Sequence, residues 1–144
     1  MLIAQILSGK GAQVVTTRPE ASVADVARLL KEKHIGAVVV ADGRGTIKGI
    51  ISERDLARGL ADHGAALMEM EVAQLMTREV TTCTPGDGLE QLMHQMTEGR
   101  FRHLPVVDKG KMVGIISIGD VVKHRLQELE TERQQLHEYI AGGV

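Results

Sequence analysis

Residues 49–55 read GIISERD, and residues 114–120 read GIISIGD. Each string joins a short apolar run, typical of a buried strand, to a serine and an aspartate at the predicted start of a helix. The preceding stretches also match: residues 14–42, VVTTRPEASVADVARLLKEKHIGAVVVAD, are repeated as VTTCTPGDGLEQLMHQMTEGRFRHLPVVD in residues 80–108. Repeats in the same order indicate an internal duplication.

A shorter match, IAQILS (3–8) with VAQLMT (72–77), extends the duplication upstream. We therefore predict repeat 1 over residues 1–65, repeat 2 over residues 66–125 and a C-terminal helix extension over residues 126–144. Each copy is small for an independent hydrophobic core, so the two halves are expected to pack together.

The spacing of apolar residues predicts an α/β fold. Ser22 is a possible N-cap. The helical face that follows carries Val23, Val26, Ala27 and Leu30, and the second copy repeats it with Leu89, Leu92, Met93 and Met96. The apolar runs at 37–42 and 46–52 are separated by a glycine-containing turn, which indicates a hairpin. Each half is predicted to be strand, helix, strand, strand, helix, with a short leading helix.

The last helix is predicted to run from Ile118 to Ile140. Its apolar residues alternate between spacings of four and three, with Arg133 interrupting them; they are Val122, Leu126, Leu129, Leu136 and Ile140. Such a seam packs either on the body of its own chain or on another chain, and the sequence leaves both alternatives open.

Composition limits the class of protein. Hydrophobic residues make up 43% and charged residues 25%, which is ordinary for a globular domain. The 17 basic and 19 acidic residues, with one Phe, one Tyr and no Trp, argue against a nucleic-acid binder. A single cysteine precludes an internal disulfide. With no signal peptide and no apolar run of about 18 residues, we expect a cytoplasmic protein without membrane contact.

The two S-x-x-D strings allow two interpretations. In the first, Ser52 or Ser117 caps its helix and Asp55 or Asp120 returns the hydrogen bond, which is a capping box. In the second, the helix N-terminus and the serine hold a phosphate, and the aspartate accepts the two hydroxyls of a ribose. Both interpretations need the same local geometry.

The ordered set of motifs resembles a pair of CBS domains in tandem, a Bateman module of the small stand-alone bacterial type. The matching residues are the two GIIS-x-x-D strings, HIGAVVVAD with RFRHLPVVD, and the openings VTTRP and VTTCTP. The resemblance covers about residues 1–125. It implies two β-α-β-β-α repeats packed by their sheets about a pseudo-twofold axis. It also implies an adenine ligand, namely AMP, ADP, ATP, S-adenosylmethionine or NAD, bound in clefts between the repeats.

Carried onto this chain, the resemblance implies two unequal sites. Residues of the first are Ser117, Asp120, Arg102 and His103, with the opening of copy one from Thr17 to Ala21 and on to Val26. Residues of the second are Ser52, Arg54, Asp55, Gly36 and Ala37, with the opening of copy two from Cys83 to Asp87 and on to Leu92. We rank the Asp120 site first, and we expect Asp87 to disfavour extra phosphates in the second.

No catalytic or metal site is predicted. Cys83 has no fixed histidine partner in the sequence and is interpreted as a buried, inert thiol, and the histidines lack metal-ligand spacing. The preferred hypothesis is a non-catalytic regulatory module that binds an adenine nucleotide and forms a homodimer, with an unknown protein as effector. The alternative is a structural or interaction dimer with empty clefts. An enzyme such as a nucleotide phosphohydrolase is the least favoured class.

Overall fold

The computed structural model describes residues 1–10 and 14–142. In chain order the elements are α1 (Ile3–Lys10), β1 (Thr16–Thr17), α2 (Val23–Lys33), β2 (Ala37–Ala41), β3 (Ile47–Ser52), α3 (Glu53–His63), a 3₁₀ helix (Gly64–Glu69), α4 (Val72–Leu75), α5 (Leu89–Gly99), β4 (His103–Asp108), β5 (Lys111–Ser117) and α6 (Ile118–Gly142). The predicted α/β class is confirmed. The chain forms two compact units: a first unit, Val14–Thr81, and a second unit made from the N-terminal segment and the chain from Thr82 onward.

The first unit contains a three-stranded sheet in the order β1-β2-β3. Strand β1 is parallel to β2, and β2 is antiparallel to β3. All residues of β2 are buried, as expected for a central strand without polar side chains. Helix α2 packs its predicted face into this core, with Val23 and Val26 fully buried. Its N-cap is Ser22, whose hydroxyl accepts the amide of Asp25 at 3.1 Å.

The second unit pairs β4 with β5 and packs α5 against them. The prediction of a first strand in this copy is wrong in its extent, because the chain forms only a single bridge there, between Cys83 and Val106. The Asp87 carboxylate accepts the amide of Thr84 at 2.9 Å, within a backbone turn that the first unit also makes between Arg18 and Ala21. The first copy has Ala21 at the position of Asp87 and keeps a two-residue strand.

Each unit is completed by the leading helix of the other copy. In the second unit the amide of Ile3 donates to the carbonyl of Asp87 at 3.0 Å, and in the first unit Val72 donates to Ala21 at 2.8 Å. These bonds are equivalent, because Val72 follows Ile3 by 69 residues and Asp87 follows Ala21 by 66. Ile3, Ile6 and Val72 are fully buried, so the leading helices are parts of the two cores.

The compact units therefore do not follow chain order. Helix α1 belongs to the sequence repeat 1–65 but packs in the second unit, and α4 belongs to the repeat 66–125 but packs in the first. The repeat boundaries at residues 1–65 and 66–125 describe the sequence rather than the packing, so they stay a prediction.

The two hairpins turn differently. Between β2 and β3, the carboxylate of Asp42 accepts the amides of Arg44 at 2.9 Å and Thr46 at 3.0 Å. The bond from Thr46, followed by that from Arg44, lowers the pKa of Asp42. Between β4 and β5, Lys109 and Gly110 both have positive φ, 52° and 78°, which gives the shorter turn.

Helix α6 extends to Gly142, which confirms the predicted long helix. Its Val121 is buried in the second unit, whereas the predicted seam residues are exposed, Leu126 at 61% and Ile140 at 69%. Among the described residues, no helix has both the length and the apolar character needed to cross a bilayer.

The close approach of each leading helix to a strand glycine is testable. A methyl group on Gly49 would lie 2.7 Å from the backbone oxygen of Thr77, whereas one on Gly114 would lie 2.5 Å from the movable side chain of Leu7. We expect Gly49→Ala to lower the free energy of unfolding by about 1–3 kcal/mol, because the backbone of Thr77 cannot move away from the added methyl group. Gly114→Ala should lower it by less, because the side chain of Leu7 can change its rotamer. Urea denaturation measures both.

The control for this pair is Gly9→Ala. Gly9 lies in α1 with open space around it, so the free energy of unfolding should stay the same or rise slightly. A Gly49→Ala protein as stable as the parent would contradict the packing of α4 against β3.

Candidate functional site

In the first unit, β3 passes directly into α3 at Ser52, and the start of β2 lies beside this junction. Ala37 is the register partner of Ser52, and the amide of Glu53 donates to the carbonyl of Gly36 at 3.0 Å. The hairpin thus brings together the predicted residues Gly36, Ala37 and Ser52 at one corner. We call this the first corner.

Asp55 closes the first corner through a capping box. Its Oδ2 accepts the amide of Ser52 at 2.9 Å and the hydroxyl of Ser52 at 3.1 Å. The hydroxyl of Ser52 in turn accepts the amide of Asp55 at 3.4 Å. The hydroxyl of Thr77 donates to Oδ1 at 3.4 Å, while the side chain of Arg54, one residue earlier, is exposed.

The second unit repeats this arrangement, and we call it the second corner. His103 is the register partner of Ser117, and the amide of Ile118 donates to the carbonyl of Arg102 at 2.8 Å. Oδ2 of Asp120 accepts the amide of Ser117 at 2.9 Å and its hydroxyl at 3.0 Å. The hydroxyl of Ser117 accepts the amide of Asp120 at 3.1 Å, so this box is tighter than that at the first corner.

The capping interpretation is therefore confirmed as geometry at both corners. It does not exhaust the chemistry of the carboxylates, since a carboxylate offers about four acceptor positions. Asp55 and Asp120 are both half-buried, so each combines an ordered carboxylate with access to solvent. Each carboxylate stands in the first turn of a helix, where free amides and the helix dipole favour anions.

The predicted opening segments lie at the other end of each sheet from the corner. Thr17 is the register partner of Val40, three residues along β2 from Ala37. Three residues of strand span about 10 Å. A shallow concavity is lined there by Thr16, Thr17, Arg18, Glu20 and Ala21. Val26, also predicted as a ligand contact, is fully buried in the core of the first unit.

Cys83 occupies the equivalent position in the second unit, opposite Val106. Its side chain is 2% exposed and its amide and carbonyl bond to Pro105 and Val107 at 3.0 and 2.8 Å. Burial, followed by the charge of Asp87, raises the pKa of the Cys83 thiol to about 12. The predicted buried thiol is thus observed. The carboxylate of Asp87 accepts a hydrogen bond from the amide of Thr84.

Sequence reasoning missed Thr77. Its hydroxyl reaches Asp55 across 22 residues of sequence because α4 packs against β3, and the amide of Ile50 donates to the Thr77 carbonyl at 2.9 Å. The match of IAQILS with VAQLMT puts a hydroxyl residue at 8 and 77, which is the signal that was present. Among the residues that the structure describes, no group of three His, Cys, Asp or Glu side chains is placed to hold a metal ion.

Comparison with known proteins agrees with this geometry. The model of the CBS domain family matches residues 11–62 and 72–127. A CBS-domain containing protein, ATU1752 from Agrobacterium tumefaciens, superposes with a TM-score of 0.85 at 46% identity, over 87% of this chain and 99% of that one. The CBS domain-containing protein CBSX3, mitochondrial, of Arabidopsis thaliana is 36% identical over 85% of this chain, which spans 61% of that protein.

Two similar structures contain adenosine compounds. The structure of CBSX2 in complex with AMP is 31% identical, with a TM-score of 0.71 over 88% of this chain and 96% of that one. The CBS domain pair of protein MJ0100, in complex with 5′-methylthioadenosine and S-adenosyl-L-methionine, is 25% identical, with a TM-score of 0.77 over 85% of this chain and 98% of that one.

The buried thiol predicts slow chemistry at Cys83. The folded protein at pH 8 should react with Ellman's reagent far more slowly than the urea-unfolded protein, because burial disfavours the thiolate. The pKa of the thiol is about 12 in the folded protein and 9.0 in the unfolded chain. The stability that the buried, protonated thiol contributes is therefore complete below pH 9 and is lost as the pH rises towards 12. Immediate, complete labelling of folded protein would contradict this placement of Cys83.

Proposed function

The chain belongs to the CBS domain family, carrying two such domains in tandem, and on that premise we propose that it is a non-catalytic regulatory module that binds an adenine nucleotide. The observation that carries the proposal is the corner built twice from a strand start, a serine, a helix N-terminus and an aspartate. The complexes of two relatives with AMP and with S-adenosyl-L-methionine and 5′-methylthioadenosine support an adenosine ligand.

The roles assigned to the corner residues follow from their chemistry. The carboxylates of Asp120 and Asp55 accept the two hydroxyls of a ribose. The hydroxyls of Ser117 and Ser52, which donate to these carboxylates in the structure, would turn their single proton to a phosphate oxygen when the ligand binds. Near the second corner, Arg102 is exposed and supplies positive charge where the first corner has Gly36. Near the first corner, Arg54 supplies it where the second has Gly119.

These differences make the two sites unequal, and we rank the Asp120 site first. The ranking rests on Arg102 and His103, which stand at the start of the second hairpin where the first has Gly36 and Ala37. Thr17, Ala21 and the neighbouring backbone are proposed as contacts for the adenine base. Cys83 and Val26 belong to the same opening segments, but their side chains are core residues, so we assign base contacts there to the backbone.

Regulation would operate by a shift of population. A ligand that binds one conformation more tightly favours that conformation by its differential affinity alone. We propose that the response is a rearrangement of a homodimer or of an unidentified protein effector in the cytoplasm. The other candidate function is a structural dimer with empty clefts, which the satisfied capping boxes also permit. AMP, ADP, ATP, S-adenosylmethionine and NAD are the ligands to compare.

Calorimetric titration of nucleotide-free protein tests the proposal. We expect saturable binding of an adenine ligand, weakened at least about tenfold by Asp120→Ala and less by Asp55→Ala, because hydrogen bonds to a charged group are lost. Asp120→Asn separates binding from capping, since its amide oxygen still accepts the amide of Ser117 while the charge is gone. It should keep most of the stability and lose affinity.

The matched control is Asp62→Ala, which removes the same charge from the exposed end of α3 and should bind like the parent. If Asp120→Ala and Asp55→Ala also bind like the parent, the carboxylates are caps only. If folded parent binds none of the ligands, the empty-cleft dimer replaces the sensor.

A further inference from the structure

The second half of α6 is exposed along its length, although Met1 and Gln5 share a concavity with its first residues, Glu130 to Glu132. The match to the CBS domain family ends at residue 127, but α6 continues to Gly142, and residues 129–142 are all exposed. Isolated helices of fewer than about 12–15 residues are marginal in water, because most helical stability in proteins comes from packing. This part of α6 therefore needs a surface to pack against.

The exposed apolar residues of α6 form one continuous stripe in a heptad pattern, and we call it the α6 seam. Its d positions are Val122, Leu129 and Leu136, and its a positions are Leu126, Arg133 and Ile140. All the apolar members are 45–69% exposed. A stripe of a and d residues is the surface that a second helix with the same repeat covers.

We propose that the α6 seam is the surface through which a second copy of this chain associates, as a parallel two-stranded coiled coil. Charge complementarity supports a second copy in this orientation. In a parallel pair each g residue faces the e residue five positions later on the other helix. Glu132 then faces His137 of the second copy, whose ring N–H can donate to the carboxylate, and Arg125 faces Glu130 of the second copy.

The antiparallel arrangement is disfavoured by the same residues. The antiparallel register that keeps the whole seam paired places Leu126 against Leu136 of the second copy. On either side of the seam the same heptad positions of the two helices then face each other. Glu130 therefore faces Glu130 of the second copy, and Glu132 faces Glu132 of the second copy. Four carboxylates in two like-charged pairs repel, whereas the parallel register contains one like-charged contact, between Arg133 and Arg133 of the second copy.

Arg133 is the one charged residue in the seam, and it sets the limit on stability. A polar a residue specifies register and a two-stranded state at a cost in affinity. The guanidinium of Arg133 lies 3.7 Å from the carboxylate of Glu130 on its own helix, so its aliphatic stem can pack while its charge stays solvated. The predicted association is therefore reversible rather than permanent.

Sedimentation of the full chain over a range of concentrations tests this proposal. The parent should dimerise reversibly, and Leu136→Asp should weaken association at least about tenfold by burying a charge in the seam. Gln135→Asp is the matched control, because it makes the same change in charge and helix propensity one residue off the seam and should associate like the parent. A parent that stays monomeric, or a Leu136→Asp protein that associates like the parent, overturns the proposal.

Orientation has its own test. Ile140→Cys should form a disulfide between two copies under mild oxidation, because parallel a positions face each other, while Cys83 is buried and does not compete. Failure of this disulfide in a protein that still dimerises through the seam would overturn the parallel arrangement.

The proposal deepens the proposed function by naming the surface through which copies associate, and its failure is separable. Titration of Leu136→Asp with AMP should show unchanged affinity, since the substituted residue lies 16 positions beyond Asp120 along α6. A parent protein that binds AMP but stays monomeric would overturn the α6 seam alone. A parent protein that dimerises but binds no adenine ligand would overturn the sensor function alone.

Discussion

Antiparallel pairing within each hairpin is the constraint on which the candidate site depends. The register fixes Ala37 opposite Ser52 and His103 opposite Ser117. Because each strand pair ends where a helix begins, the first residue of one strand is held beside the N-terminus of that helix. The serine and the aspartate are then oriented by one capping box. A slip of one residue would turn every side chain of the strand to the other face and separate these groups.

Exchange of the leading helices makes each unit depend on both copies of the sequence. Helix α1 supplies Ile3 and Ile6 to the second core, and α4 supplies Val72 and Met76 to the first. At the first corner this exchange also brings the hydroxyl of Thr77 to Asp55. The carboxylate at that corner is thus held by residues from both copies.

Much of the fold was predictable because its signals are local. Apolar spacing identified α2 and α5 with their buried faces, the glycine-containing turns identified both hairpins, and S-x-x-D identified both helix starts. The exchange was not predictable, since an amphipathic leading helix requires a core but does not distinguish between two related ones. The burial of Val26 and Cys83 depended on packing that a family pattern does not encode.

The proposed function depends on the Asp120 carboxylate holding a ribose in addition to capping α6. The most direct measurement is a crystal structure of the protein grown with saturating AMP. We expect AMP with its ribose hydroxyls within hydrogen-bond distance of Asp120 and its phosphate near Ser117. Crystals in which AMP is bound elsewhere, with none of its atoms within hydrogen-bond distance of Asp120, would contradict this assignment.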